Sequence, residues 1–139
     1  MKVVVNKCYG GFGLSDKAIE MVMKRKGLEC FRYKQTKYKY GDGVDEYTRC
    51  EIFNDSDMFT HYQTEDLGEK VDKLPNETYW YYGKLERDDA DLIAVVEELG
   101  EEANGRFAKL KIIDIPDDIE WEMDDYDGIE TIHEVHRSW

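Results

Sequence analysis

Three kinds of hydrophobic spacing run along this chain, and each predicts a different element. Lys2 to Tyr9 holds three consecutive valines, and β-branched residues on both faces suit a strand buried on both sides. Ser15 then stands at a helix N-cap, with Leu14 before it to staple onto Ile19. The helix DKAIEMVMKRK carries Ala18, Ile19, Val22 and Met23 on one stripe, and Gly27 supplies a left-handed stop. A second stripe, Leu92, Val95, Val96 and Leu99, follows Asp88 or Asp89 as the cap and ends at Gly100.

The remaining pattern is that of strands. ECFRYKQTKYKY and VDEYTRCEIF flank GDG as arms of a hairpin, and the TYWYY core of residues 77–84 reads as a short strand. Between 34 and 76 aromatics and charges alternate without a steady period, so this stretch reads as an insertion-like irregular segment within one domain spanning 1–139. Three strands follow, Arg106 to Ile115, Ile119 to Tyr126 and Ile129 to Arg137. Asp127-Gly128 is a strong two-residue hairpin signal, which sets Tyr126 against Ile129, Met123 against Ile132, Glu122 against His133, Trp121 against Glu134 and Ile119 against His136. Trp121 is then expected to be mostly buried, with Met123 and Ile132 against it. Glu134 and His136 fall on that same apolar face.

The element order predicts an α+β fold: a mixed or largely antiparallel sheet, two helices on one face, and a C-terminal β-meander. The strand Val3 to Cys8 is expected to share a sheet with the hairpin Ile119 to Arg137, because two well-patterned ends flanking a variable middle are best explained by one common core.

Length and charge narrow the function classes. At 139 residues the chain suits one core. No apolar run approaches a membrane span, and the N-terminus is too short in apolar residues for a signal-peptide core, so a cytosolic protein is expected. Cys8, Cys30 and Cys50 are sparse and form no CxxC pair, which fits reduced thiols and argues against a structural zinc. The net charge of −13 is uneven: residues 1–50 hold 11 Lys/Arg and 6 Asp/Glu, and residues 51–139 hold 8 and 26. Such an acidic portion repels nucleic acid, so no direct nucleic-acid binding is expected, while a local basic patch remains able to receive a small anion.

CYGGFGLS, residues 8–15, is the most unusual local stretch. It is neither a dinucleotide fingerprint, since Asp16 occupies the third glycine position, nor a P-loop, since GK[ST] is absent. Two readings stay open: a sharp strand-to-helix corner that needs positive φ, or backbone N–H groups of Gly10, Gly11 and Gly13, with Ser15, presented to an anion at a helix start. HEVHR spaces its histidines three apart, and on a strand His133 and His136 point to opposite faces, so they cannot share a metal. Glu134, His136, Arg137 and Trp139 form a candidate ligand-binding cluster, Glu134 with His136 as an acid-base pair and Arg137 and Trp139 able to bind phosphate and stack on a base; the other reading is a polar cluster that ties the C-terminus to the helix layer. Arg137 is the arginine of the acidic portion with an aromatic, Trp139, two residues away. KYKY at 37–40 reads as a hairpin tip, or as a stacking surface. No metal set, cofactor motif or catalytic triad is legible.

With these motifs in view, the chain resembles a family of small bacteriophage-encoded proteins of unassigned function. The resemblance rests on NKCYGGFGLS at 6–15 and IPDDIEWEMDDYDGIETIHEVHRSW at 115–139, with RDDADLIAVVEELG as a third block, about half the chain. It implies a small accessory protein in the cytoplasm of an infected bacterium, and it carries over no site residues. The expected function is then non-catalytic capture of a nucleotide-like host molecule, as counter-defence, between the glycine corner and the C-terminal cluster. The alternatives are an acidic, DNA-mimic-like inhibitor of a host protein and, third, a nucleotide-cleaving enzyme. Homo-oligomerisation is compatible with each.

Overall fold

The computed structural model describes residues 1–37, 43–50 and 60–135, which form an α+β fold with all strand pairs antiparallel. The elements in order are β1 (Lys2–Asn6), α1 (Asp16–Arg25), β2 (Phe31–Lys37), β3 (Glu46–Cys50), β4 (His61–Gln63), β5 (Lys70–Val71), β6 (Tyr79–Trp80), α2 (Ala90–Leu99), β7 (Leu110–Asp114), β8 (Trp121–Tyr126) and β9 (Ile129–Glu134). Within this fold the chain forms two compact units, Met1–Val22 with Leu85–Trp139 and Met23–Lys84, with the boundary inside α1. No helix among the described residues is long and apolar enough to cross a membrane.

In the first unit the caps form as the sequence dictates. The Ser15 hydroxyl accepts from the Ala18 amide at 3.2 Å, and the Asp89 carboxylate accepts from the Asp91 and Leu92 amides at 2.9 and 3.0 Å. Gly100 ends α2 at φ +58°. β1 pairs with β7, Val3 opposite Ile113 and Val5 opposite Lys111. Val3, Val4 and Val5 are all fully buried. Val3 and Val5 meet Ile115, Ile113, Trp121, Met123 and Ile132, so the hairpin covers that face and leaves the Val4 face for α2, which packs on β1 and β7.

The hairpin register is the one counted from Asp127-Gly128, from Tyr126 opposite Ile129 to Trp121 opposite Glu134. The pairing of Ile119 with His136 lies outside the described residues. The sheet that should contain the hairpin differs from expectation. β7 joins β1 instead of continuing a meander with β8, and β8–β9 is a sheet of its own. The reason is at the second edge of β1. Val4 and Asn6, two residues apart, direct their amides to that edge. Val4 donates to the Arg87 carbonyl at 2.9 Å and Asn6 donates to a carboxylate oxygen of Glu130 at 2.8 Å. A side chain of β9 thus takes the place a strand carbonyl would have held.

Trp121 is half-buried and not mostly buried, because it lies at the open end of the hairpin. Trp121→Ala is therefore expected to cost about 2–3 kcal/mol, below the roughly 3–5 kcal/mol of a fully buried aromatic. Urea denaturation measures this directly.

The second unit is a five-stranded sheet ordered β5-β3-β2-β4-β6. The stretch read as insertion-like contributes β3, β4 and β5 to it, with most of β2. Tyr33 is fully buried at its centre, where its hydroxyl donates to the Gly68 carbonyl and accepts from the Leu67 amide, both at 2.9 Å.

Candidate functional site

The glycine corner is a packed joint. The Gly10 amide donates to the Asp127 carbonyl at 3.3 Å, and the Gly105 amide to the Gly13 carbonyl at 3.0 Å. Gly128 sits so close that a Cβ there would stand 2.3 Å from the Gly11 nitrogen and 2.7 Å from that of Gly10. Gly10 and Gly11 adopt φ +128° and +96°. Ser15 caps α1, and its hydroxyl also donates to the Glu102 carbonyl at 2.6 Å. Positive φ accounts for Gly10 and Gly11, and close backbone approach for Gly10, Gly105 and Gly128; the Gly10 amide is already taken by a carbonyl.

Beneath the corner lies an ion pair that sequence reading missed. Glu130 is 4% exposed and grips the Arg87 guanidinium with both oxygens, the Nη2–Oε2 distance being 2.7 Å. The guanidinium stacks on the Phe12 ring at 3.6 Å. Asn6, fully buried, donates from its amide nitrogen to the carbonyls of Cys8 and Gly128 at 2.8 and 2.6 Å and accepts from the Lys109 amide at 2.8 Å. Lys7 donates to the Glu130 carbonyl at 2.7 Å. These bonds tie β1, the segment before α2, the loop before β7 and the hairpin turn into one rigid corner. The signal was available: Glu130 shares the inward face of β9 with Ile132, a carboxylate placed where the pattern calls for an apolar residue.

Of the other expected site residues, Glu134 is exposed at the far end of β9. It is six residues from Gly128, roughly 20 Å at strand rise, so it is not brought to the glycine corner. His136, Arg137 and Trp139 lie outside the described residues. Of the KYKY tip, Lys37 ends β2 and residues 38–40 also lie outside them.

What gathers at the corner instead is exposed aromatic surface. Tyr9 is 65% exposed, Phe107 60% and Tyr126 74%. Tyr9 precedes Gly10, the Phe107 Cβ borders Gly10, and Tyr126 precedes the turn residue that Gly10 bonds. They are three of the five large hydrophobic residues that stand exposed among the described residues. Arg106 lies over Phe107 at 5.4 Å. The chain matches no protein-family model, no characterised protein and no solved structure. From Tyr126 the outward face of β8 continues as Asp124 and Glu122, carboxylates about 6.8 Å apart at alternate strand positions, and Glu120 follows just before the strand. On β9, His133 stands between two of them, Nε2 at 2.6 Å from Glu122 and Nδ1 at 3.3 Å from Asp124.

The charge follows the same division. The first unit holds 8 Lys/Arg and 20 Asp/Glu, a net −12, and the second holds 11 and 12, a net −1. Nearly all the net charge is on the unit that carries the aromatic corner.

Proposed function

We propose that the protein binds a basic face of a protein partner through the aromatic corner and the carboxylate row of the β8–β9 hairpin. The observation that supports this most is the placement of Tyr9, Phe107 and Tyr126 around one backbone joint, beside Glu120, Glu122 and Asp124. Exposed aromatics on a rigid support are the residues that anchor interfaces, because they bury large area at small entropic cost. A row of carboxylates steers a cationic partner and sets its orientation. The acidic-inhibitor alternative from the sequence therefore fits better than nucleotide capture at the glycine corner, where the Gly10 amide is bonded to the Asp127 carbonyl and the Gly11 nitrogen lies against Gly128. Partners that ordinarily hold nucleic acid have faces of the required charge, and the resemblance to phage proteins suits a partner in the infected host.

Two variants of equal charge test the reading. Glu120→Gln/Glu122→Gln/Asp124→Asn neutralises the row, and Glu86→Gln/Glu98→Gln/Glu101→Gln neutralises three exposed acids elsewhere on the same unit. Against an arginine-rich peptide as probe, the first is expected to weaken binding by about tenfold or more at 50 mM salt, and the second by less than about threefold. Equal losses would show bulk charge acting without a site.

A further inference from the structure

The second unit has a cleft unrelated to the acidic hairpin, and its position follows from the strand pairing. Residues opposite each other on antiparallel strands share a face, as do residues two apart on one strand. Tyr47 is opposite Gln35, His61 is opposite Tyr33 and Tyr79 is opposite Gln63. Tyr47, His61 and Tyr79 therefore stand on one face of the sheet, contributed by β3, β4 and β6. The rings meet there: Tyr47 and His61 are edge to face at 5.7 Å, and His61 and Tyr79 lie 5.8 Å apart with Nδ1 and the Tyr79 hydroxyl hydrogen-bonded at 2.9 Å. With Asp45, Asp72 and Lys73 they line a cleft of about 300 Å³.

We propose that this cleft binds a small organic cation, an alkylammonium of choline size, held by the tyrosine rings and by Asp45 and Asp72. The volume is at the lower end for small-molecule sites, which suits a compact ligand. Aromatic rings attract ammonium groups through their quadrupole, and adjoining carboxylates supply the opposite charge. Two carboxylates against one lysine among the lining residues disfavour a phosphate-bearing molecule. Burial pushes His61 below the ordinary imidazole range, which keeps that wall uncharged near neutral pH and leaves an incoming cation unopposed there. Asp45 is held in place by the Gln35 amide at 3.1 Å.

The test is a titration of the full chain with choline chloride, read by NMR on the ring resonances of Tyr47, His61 and Tyr79, with sodium chloride as the ionic-strength control. Saturable shifts of those rings are expected from choline alone. Asp72→Asn, at an exposed position, should weaken the affinity roughly fivefold to tenfold. Tyr79→Phe, which keeps the ring, should change it by less than about threefold. Choline shifts no larger than those of sodium chloride would overturn the proposal. So would unchanged affinity in Asp72→Asn, or saturable binding of adenosine monophosphate at these rings in place of choline.

Discussion

Glu130→Ala is expected to lower the stability of the chain by about 3–5 kcal/mol, the cost of removing one partner of a buried ion pair. Three losses combine. The Arg87 guanidinium, its side chain 21% exposed, keeps its charge and loses the carboxylate that balanced it. The Asn6 amide, at a fully buried residue, loses its acceptor, and an unsatisfied buried donor by itself costs about 1–3 kcal/mol. The third loss is the link between β9 and the free edge of β1. Glu130→Gln should recover part of the deficit, because one side-chain oxygen can still accept from Asn6 while the ionic part is gone. Urea midpoints with unchanged slopes would measure both variants. A loss under about 1 kcal/mol for the alanine variant would mean that the pair contributes little and that another contact holds the hairpin to β1.

Gly128→Ala carries the second large effect, roughly 2–6 kcal/mol, from left-handed strain added to overpacking. Gly128 adopts φ +91°, and its new methyl would meet the Gly11 backbone nitrogen at 2.3 Å, an atom that cannot rotate away. Gly11→Ala is the matched control, since Gly11 has φ +96° and open space around the added Cβ. It should cost only the strain, about 1–3 kcal/mol. Thermal melts of the two variants should rank Gly128→Ala below Gly11→Ala. The reverse order would show that the turn and the corner are not packed as described.

The parts of the fold that sequence made legible are those set by local rules. Asp127-Gly128 fixed a two-residue turn with φ +50° and +91°, and the full described register of β8 and β9 followed from it. Asp89, Gly27 and Gly100 capped or ended their helices because side-chain and backbone geometry at those points is settled within a few residues. The choice of partner for β1 was not legible. It depends on Arg87 and Glu130, 43 residues apart, and on a carboxylate accepting the bond that a neighbouring strand would ordinarily accept. The second unit was legible only in part: the arms read on either side of GDG are β2 and β3, paired antiparallel, and the TYWYY core holds β6. Strands β4 and β5 have only three and two residues, too short to show alternation. Polar contacts such as Thr36 with Thr48 at 2.9 Å and Gln35 with Asp45 at 3.1 Å stand where a periodic apolar pattern would have been readable. At the candidate site, the strand-to-helix corner with positive φ at Gly10 and Gly11 was legible while any binding role was open, and the exposed aromatics were invisible because exposure of Tyr9, Phe107 and Tyr126 depends on the packing of glycines far apart in sequence.

The most direct measurement of the proposed interface is an NMR footprint on isotope-labelled protein titrated with the arginine-rich peptide at two salt concentrations. The expected shifts fall on Tyr9, Phe107, Glu120, Glu122, Asp124, Tyr126 and His133, and they weaken together as salt rises from 50 to 200 mM, as screening of a defined charged face requires. Shifts spread evenly over the exposed acids of the first unit, or confined to residues 23–84, would contradict a binding face built on the hairpin and the aromatic corner.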